Sequence, residues 1–326
     1  MSGRQKATVL EEHFIDATFA EKFGVAGPPS ALLGDRAERE DRLDVQDIGL
    51  EVLSHAPRAA QALAPDRATE WSRRINDGLA EWIGGSSRFA GFASLPMSDP
   101  GAAARELERA VRDLGFRGAM IHGLTDGRMP DHPAYHDLMA VAEALDVPVY
   151  LHPSFPHPDV SRAYYQDYAD RFPMLAMAAG GFTCETMVIA IRMMLGAIPE
   201  KFPRLRLILG HMGEAIPFLM ERIDESLARD VGGHRFFRER FLRHFTVTTS
   251  GNFSDAALAC AIAELGIERI MFSIDWPYVA REPARAWIDA VDIDDASRAA
   301  ILSGNAERVL RCTPGEAGTP NRQENT

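Results

Sequence analysis

Residues 205–230, LRLILGHMGEAIPFLMERIDESLARD, contain the pattern that decides the fold. The run LRLILGH (205–211) is short and almost continuously apolar, which is typical of a parallel strand buried on both faces. A helical pattern, GEAIPFLMERIDESLARD (213–230), follows it directly. A buried strand followed at once by a helix is the repeating unit of parallel α/β proteins.

The same alternation recurs through the chain. Strand-like runs occupy 8–14, 49–54, 89–95, 116–123, 147–153, 205–211, 245–251 and 269–275. Helical patterns occupy 100–115, 133–146, about 183–195, 213–230 and 254–266. Eight strands alternating with helices predict one (β/α)8 TIM-type barrel rather than two doubly wound domains. No GxGxxG or GxxxxGK[ST] segment follows a strand, so neither nucleotide-binding fingerprint is present.

Two segments fall outside this alternation. Residues 24–47, which include the charge run DRAEREDRLD (35–44), are expected to form an inserted loop leading into a helix after strand 1. The end of the chain, TPGEAGTPNRQENT (313–326), is rich in proline, glycine and polar residues, which is typical of a flexible tail. We therefore expect a barrel domain over 1–312 and a tail over 313–326.

The composition excludes several classes of protein. Of the 326 residues, 46% are hydrophobic and 25% are charged, as in an ordinary globular protein. The net charge of −12 argues against a nucleic-acid partner, because binding phosphates requires a basic face. The three cysteines form no CxxC pair, so a disulfide scaffold or a cysteine zinc site is not expected. The first residues, MSGRQKATVLEEHF, lack an apolar signal region, and a cytoplasmic location is expected.

The stretch 172–199 most resembles a membrane span. Glu185 and Arg192 interrupt it, and Gly180-Gly181 lies inside it. A spanning helix needs about 20 apolar residues with few or no charges. We therefore expect a loop followed by a buried core helix, and no membrane partner.

The ends of the strands carry the chemistry. In a barrel of this type, the C-terminal ends of the strands face the active site. Four of the runs contain or end in residues that can bind a metal or transfer a proton: Glu11, Glu12 and His13, then His152, His211 and Asp275. Residues two apart on a strand point to the same side, so Glu11 and His13 can face the interior while Glu12 points away. With His152 and Asp275 they could surround one divalent cation, and mixed nitrogen and oxygen ligands suit Zn²⁺ or Mn²⁺.

Each of these residues also has a structural interpretation. A lone buried histidine is more often a hydrogen-bonded core residue than a ligand, and Asp275 could cap a helix. Coincidence at four strand ends on one face is less probable than a shared metal site. His122, at the end of strand 4, could contact a substrate or be purely structural. His55 could line the pocket wall, and His157 is a weak candidate for its rim.

Five motifs together resemble the metal-dependent decarboxylases of the amidohydrolase superfamily, in the aminocarboxymuconate-semialdehyde decarboxylase group. They are LEEHF (10–14), YLHP (150–153), LILGHMGEAIPFLMERID (207–224), TTSGNF (248–253) and FSIDWPY (272–278). The resemblance covers about residues 8–310. Within this group, the motifs most resemble those of γ-resorcylate and 2,3-dihydroxybenzoate decarboxylases. It implies a metal-dependent, non-oxidative decarboxylase that protonates the ring carbon of a hydroxybenzoate-type or related unsaturated acid and releases CO₂.

The resemblance also implies roles for individual residues. The matching metal ligands, for one Mn²⁺ or Zn²⁺ per chain, are Glu11, His13, His152 and Asp275. His211 matches a histidine beside the metal, with Glu214 as its acidic partner, and Asp275 matches the group that handles the proton. We expect Asp275 to be kept protonated among apolar walls. The family type is a homodimer or homotetramer.

Arg222 follows His211 by eleven residues on the predicted helix, which places it roughly 16 Å along the helix axis. It therefore should not reach its own metal. It matches an arginine that some relatives insert from a neighbouring subunit to pair with the substrate carboxylate. A surface salt bridge is the alternative.

Other functions remain open on the same barrel. A mononuclear hydrolase or hydratase would use Asp275 as the general base for a metal-bound water. A non-catalytic binding module is the second alternative. Loss of the candidate metal ligands would indicate such a module, but all four are present. Strand 4 ends in His122 where resorcylate enzymes typically carry asparagine, which leaves a differently substituted ring open.

Overall fold

A barrel of eight parallel strands forms the centre of the molecule. The computed structural model describes residues 4–25, 27, 31–57, 59–279 and 284–314. The strands are β1 (Ala7–Phe14), β2 (Ile48–His55), β3 (Phe89–Gly91), β4 (Ala119–His122), β5 (Val149–His152), β6 (Leu207–Leu209), β7 (Phe245–Thr248) and β8 (Ile270–Met271). Neighbours pair in parallel from β1 to β3 and from β4 to β8. Each predicted strand run therefore overlaps an observed strand.

Two short bridges close these sheets into a barrel. Between β3 and β4, Met120 N donates to Ala93 O at 3.2 Å. Between β1 and the end of β8, His13 N donates to Trp276 O at 2.8 Å and Asp275 N donates to Glu11 O at 3.1 Å. The predicted single (β/α)8 barrel is confirmed.

Helices surround the strands in alternation with them. In chain order they are α1 (Ala17–Phe23), α2 (Arg36–Val45), α3 (Pro65–Ile83), α4 (Pro100–Arg112), α5 (His136–Ala144), α6 (Pro158–Tyr164), α7 (Gly181–Leu195), α8 (Ile198–Lys201), α9 (Ile216–Asp230), α10 (Phe237–His244), α11 (Asp255–Leu265), α12 (Ala284–Ala290), α13 (Asp295–Ala299) and α14 (Asn305–Leu310). The five predicted helical patterns correspond to α4, α5, α7, α9 and α11. The predicted insertion after strand 1 contains α2, preceded by the shorter α1.

The sequence patterns missed α3, the longest of these helices. Its buried face includes Ala68, Trp71, Ile75 and Leu79, which recur every three or four residues. Pro65 occupies its first turn, where a missing N–H has no consequence. Both signals were present in the sequence.

The apolar stretch beyond residue 172 is less buried than expected. It forms a 3₁₀ turn at Pro173–Ala176 and then α7. By length and composition, Pro173–Leu195 could cross a membrane, and only 28% of its most apolar window is buried. Met193 and Met194 pack in the core, whereas Val188 and Leu195 are exposed. The expected helix is present and packs in the core, but α7 buries one face only. The predicted tail from residue 315 onward lies outside the described residues.

A bulge in β1 directs side chains toward the interior. The pairing of β1 with β2 shifts register between Val9 and Glu12. The amides of Leu10 and Glu11 both donate to Ser273 Oγ, at 2.6 and 3.2 Å. Such a bulge adds one residue and re-aims the side chains that follow it. Leu10 packs in the apolar cluster inside the barrel, and Glu11 lies just above it against Tyr150.

Candidate metal centre and active site

Four predicted ligands meet at the C-terminal ends of the strands. Glu11, His13, His152 and Asp275 each offer one ligand atom, and these atoms lie within 4.8 Å of one another. His13 Nε2 is 3.3 Å from Asp275 Oδ1, and His152 Nε2 is 3.4 Å from Glu11 Oε1. The cluster joins β1, β5 and the segment after β8, so it exists only in the folded barrel.

Neighbouring groups orient each ligand toward the centre. His152 Nδ1 donates to Pro153 O at 2.7 Å, and His13 Nδ1 lies 3.1 Å from Ser54 Oγ, which leaves both Nε2 atoms facing the cluster. Glu11 Oε2 accepts from the Tyr150 hydroxyl and from Thr248 Oγ1. Glu11 Oε1 and His13 Nε2 are buried without a hydrogen-bond partner among the described residues. A cation would satisfy these two orphaned atoms, so the donor set fits a divalent metal ion.

The backbone at the centre adopts an unusual conformation. Asp275, His211, Met212 and Glu214 have φ values of 72°, 51°, 61° and 56°, in the left-handed region that non-glycine residues rarely occupy. Each such residue costs on the order of 1–3 kcal/mol and persists where the surrounding structure imposes it. Gly210 makes room for Glu11, since a Cβ at this position would lie 2.6 Å from its carboxylate. The site is therefore built at the expense of local backbone preference.

His211 stands beside the ligands and is held by Glu214. Its Nδ1 donates to Glu214 Oε1 at 2.9 Å. Its Nε2 lies 3.7 Å from both Glu11 Oε1 and Asp275 Oδ2. Burial opposes a charge on His211, but the surrounding carboxylates of Glu11, Glu214 and Asp275 raise its pKa well above the ordinary value. These carboxylates therefore favour the protonated imidazole.

Imidazole groups, rather than the expected apolar walls, lie beside the Asp275 carboxylate. Burial alone would raise the pKa of Asp275, but the neighbouring imidazoles of His13 and His211 lower it below the ordinary value. The structure therefore favours Asp275 as a carboxylate. The environment of His211 instead favours its protonated form.

His122 lies next to the metal cluster with its orientation fixed. Its Nε2 donates to His55 O at 3.2 Å, and the Gln61 side chain binds both its N–H and its carbonyl. Its ring centroid is 5.1 Å from that of His152. Burial, and then His152, lower the pKa of His122 well below the ordinary value. Its Nδ1 is buried without a partner in the described structure, beside a cavity of about 180 Å³ that also touches Ser154.

Two other histidines do not belong to the pocket wall. His55 Nε2 accepts from Asp16 N at 3.2 Å, and its ring packs against Phe14 and Phe19. It therefore supports α1, and only its carbonyl reaches the site through His122. His157 is half-buried and accepts from Asp159 N at the start of α6.

Arg222 is not brought to the centre of its own chain. It lies on the exposed side of α9. It forms no ion pair with the residues that the structure describes. Phe218, one turn before it, is 83% exposed.

Sequence reasoning missed the residues that orient the ligands. Tyr150 precedes His152 by two positions in β5, so strand periodicity places both on one side and could have found it. Ser54 faces His13 across the β1–β2 register, and Gln61 reaches His122 from a short 3₁₀ helix. No local pattern signals these two contacts.

The closed barrel and its mixed-ligand centre define a metal-dependent barrel enzyme. The sequence model of the amidohydrolase family matches residues 28–312, and the chain belongs to this family. It is 40% identical to the gamma-resorcylate decarboxylase of Rhizobium sp. (strain MTP-10005), with 94% of this chain and 98% of the relative covered.

Solved structures agree with this relationship. The dihydroxybenzoic acid decarboxylase of Polaromonas sp. JS666, with manganese and the inhibitor 2-nitroresorcinol bound, superposes with a TM-score of 0.85 at 37% identity, covering 94% of this chain and 97% of the other. The 5-carboxyvanillate decarboxylase of Sphingomonas paucimobilis gives a TM-score of 0.86 at 30% identity, covering 95% and 100%. The predicted class, a metal-dependent decarboxylase of the amidohydrolase superfamily, is confirmed, as is a buried cluster that could hold one divalent ion.

Proposed function

We propose that the protein decarboxylates a benzoate carrying a hydroxyl ortho to the carboxylate. The observation that carries this proposal is the juxtaposition of a four-ligand cluster with a charged histidine at the open end of the barrel. The cluster would hold a divalent ion that would supply Lewis acidity to an ortho-hydroxy acid, and His211 could hold the proton that replaces CO₂.

Glu11, His13, His152 and Asp275 are proposed to hold one Mn²⁺ or Zn²⁺. The ion, when bound, supplies Lewis acidity that favours ionisation of the ortho hydroxyl and fixes the acid in place. The protein then has to deliver a proton to the ring carbon that bears the carboxylate, because direct loss of CO₂ would leave an aryl carbanion.

His211, Asp275 and Glu214 are proposed to deliver this proton. Glu214 orients the His211 imidazolium, whose Nε2 faces Asp275 Oδ2 at 3.7 Å. The Asp275 carboxylate takes the proton from His211 Nε2 and passes it to the ring carbon. The C–C bond to the carboxylate then breaks, its electrons restore the aromatic ring, and CO₂ leaves.

His122 is proposed to select the ring substituent. Because its Nε2–H is committed to His55 O, its Nδ1 carries a lone pair and can only accept. A substrate hydroxyl or amine on that side would satisfy it. A ring bearing only a hydrogen or a methyl group there would leave a buried acceptor unpaired.

Arg222 is proposed to complete the site of a second copy of the chain in a homodimer or homotetramer. The exposed apolar side chains beyond β5 and on α9 support such an assembly, since patches of this kind mark interfaces. They include Phe155, Tyr164, Tyr168, Phe172, Met174 and Phe218. The barrel over 1–312 is proposed as a single domain.

A panel of substituted benzoates tests the activity. With Mn²⁺ or Zn²⁺ supplied, we expect CO₂ release and loss of the acid's ultraviolet band for ortho-hydroxybenzoates, and none for the meta-hydroxy isomers. Benzoates with a second donor group should react faster in wild type, and His122→Phe should reduce this preference. Hydrolysis of an ester or lactone without CO₂ release would instead establish the hydrolase alternative, with Asp275 as general base.

Mixing two inactive variants tests the shared site. Arg222→Ala and His152→Ala, co-refolded or co-expressed, should recover part of the activity if Arg222 acts on the neighbouring subunit. Arg229→Ala, a change on the same helix where the side chain pairs with Glu225, is the control and should be active alone. Stable mixed oligomers without any recovered activity would contradict the proposal.

A further inference from the structure

Glu12, the residue between two proposed ligands, has no part in the chemistry above. It points away from the cluster and is fully buried. Its Oε1 accepts from Ile274 N at 2.9 Å, and its Oε2 accepts from Trp276 N at 3.2 Å. These two amides flank Asp275, so the carboxylate of Glu12 grips the backbone on both sides of that residue.

Asp275 needs such a grip. Its φ of 72° lies in the left-handed region, which non-glycine residues occupy uncommonly and which neighbouring contacts can stabilise. Its own N–H donates to Glu11 O at 3.1 Å. Three successive amides, from Ile274 to Trp276, are thus bound by two adjacent residues of β1.

A second layer supports Glu12 from outside. The guanidinium groups of Arg39 and Arg42, both on the inserted α2, lie 4.5 and 4.3 Å from the centre of the Trp276 ring. Both also bind buried Glu51 of β2. Arg39 Nη2 further donates to His13 O at 3.1 Å. The insertion therefore braces the segment after β8 and the end of β1 at once.

We propose that Glu12 is a positioning residue for the metal centre, which holds the Asp275 carboxylate at ligand distance through the backbone, with Arg39 and Arg42 clamping Trp276 behind it. This inference rests on the proposed ligand role of Asp275. It does not depend on which acid the enzyme decarboxylates. Its readout is therefore metal binding, which separates its failure from failure of the proposed activity.

Glu12→Gln tests this grip with little change in shape. The glutamine keeps one oxygen that can accept from a backbone N–H. Its NH₂ group can only donate, so it cannot bind the second backbone N–H. We expect Mn²⁺ affinity, measured by titration of the metal-free protein, to fall about tenfold or more, in the range seen when groups that orient metal ligands are changed. Asp224→Asn is the matched control. Buried Asp224 on α9 also accepts from two backbone amides, Phe237 N and Arg238 N, but it is not part of the proposed metal centre. It should lower stability without changing Mn²⁺ affinity.

A double-mutant cycle then separates positioning from general damage. If Glu12 acts through Asp275, Glu12→Gln should weaken Mn²⁺ binding several-fold less in an Asp275→Asn background than in wild type. Equal weakening in both backgrounds, or unchanged affinity in folded Glu12→Gln, would overturn the proposal. If Glu12→Gln does not fold, Arg42→Met removes one guanidinium of the outer clamp and leaves Arg39 as the remaining partner of Glu51. A threefold or greater loss of Mn²⁺ affinity would support the proposal, and none would overturn it.

Discussion

The carboxylate of Glu11 divides its two oxygens between the protein and the metal centre. Oε2 is held by the Tyr150 hydroxyl and Thr248, while Oε1 faces His152 and His211 without a hydrogen-bond donor in the described structure. A buried anion without compensation is costly, so the Oε1 side requires a cation. We therefore expect substitutions of the proposed ligands to change metal binding, and substitutions beside His211 to change the reaction rate.

His152→Ala should abolish tight metal binding. The change removes one of four proposed ligands, and its Nε2 is the lone pair nearest Glu11 Oε1. Elemental analysis should give about one divalent ion per wild-type chain and much less for the variant. His234→Ala, at an exposed histidine, should keep the metal. Full metal content in His152→Ala would remove this residue from the ligand set.

Glu214→Gln should lower kcat roughly 10- to 100-fold with the metal retained, because groups that orient and charge a functional histidine have effects of this size. The change removes the negative charge beside His211 Nδ1 while preserving shape. Steady-state kinetics and metal content on one preparation provide the check. Glu225→Gln, the same substitution on exposed α9, should keep wild-type rates. An unaltered kcat for Glu214→Gln would mean that this pair is structural.

The ligand candidates could be predicted from sequence because each depends on short-range rules. Strand periodicity places Glu11 and His13 together, and the barrel places strand ends on one face. The ionisation of Asp275 and His211 could not be predicted. It depends on distances of 3.3 and 3.7 Å between residues of different strands, which no local pattern encodes.

Among the elements, α4 shows a helix whose boundaries the sequence indicates well. Asp99 Oδ1 accepts from Ala102 N at 2.9 Å, and Pro100 fills the first turn. The bulge in β1 shows the opposite case. It arises because the amides of Leu10 and Glu11 share one acceptor, Ser273, more than 260 residues away. Local signals thus predict caps, while irregularities set by distant partners escape them.

Asp99→Ala should lower the free energy of unfolding by about 1 kcal/mol, the usual effect of losing a helix N-cap acceptor. The amide of Ala102 would lose its partner, while the buried face of α4 would be unchanged. Urea unfolding monitored by circular dichroism gives the value. Asp99→Ser, which retains a capping oxygen, should recover most of the loss. A change below about 0.3 kcal/mol in Asp99→Ala would show that the cap is dispensable here.

At the scale of the whole molecule, the eight-strand barrel followed from the sequence because strand runs and helical patterns alternate. The exposure of α7 did not, since an apolar helix looks the same whether the core or another surface covers it. The cytoplasmic location and the oligomeric state remain predictions. Acid sensitivity is a further property of the complete fold.

Stability should fall as pH falls from about 6.5 to 4. Burial lowers the pKa of His55 to about 4 and also lowers that of His244. In the unfolded chain these histidines have the ordinary pKa of about 6.5, so in this window they bind protons that the folded protein does not bind. The free energy of unfolding is therefore highest above about pH 6.5 and declines below it. His55 alone accounts for about 3 kcal/mol. Urea unfolding of metal-free protein at several pH values should show a shallower decline in His55→Gln; an unchanged slope would contradict this assignment.

The barrel closes where β1 meets the segment after β8, through the bond from His13 N to Trp276 O and the bond from Asp275 N to Glu11 O. Three proposed ligands lie across this junction, two on one side and one on the other. Metal binding should therefore stabilise the closure of the barrel at this junction. In hydrogen–deuterium exchange, we expect the amides of His13 and Asp275 to exchange more slowly with Mn²⁺ than without it, while the amides of β3 and β4, two strands that carry no proposed ligand, change much less.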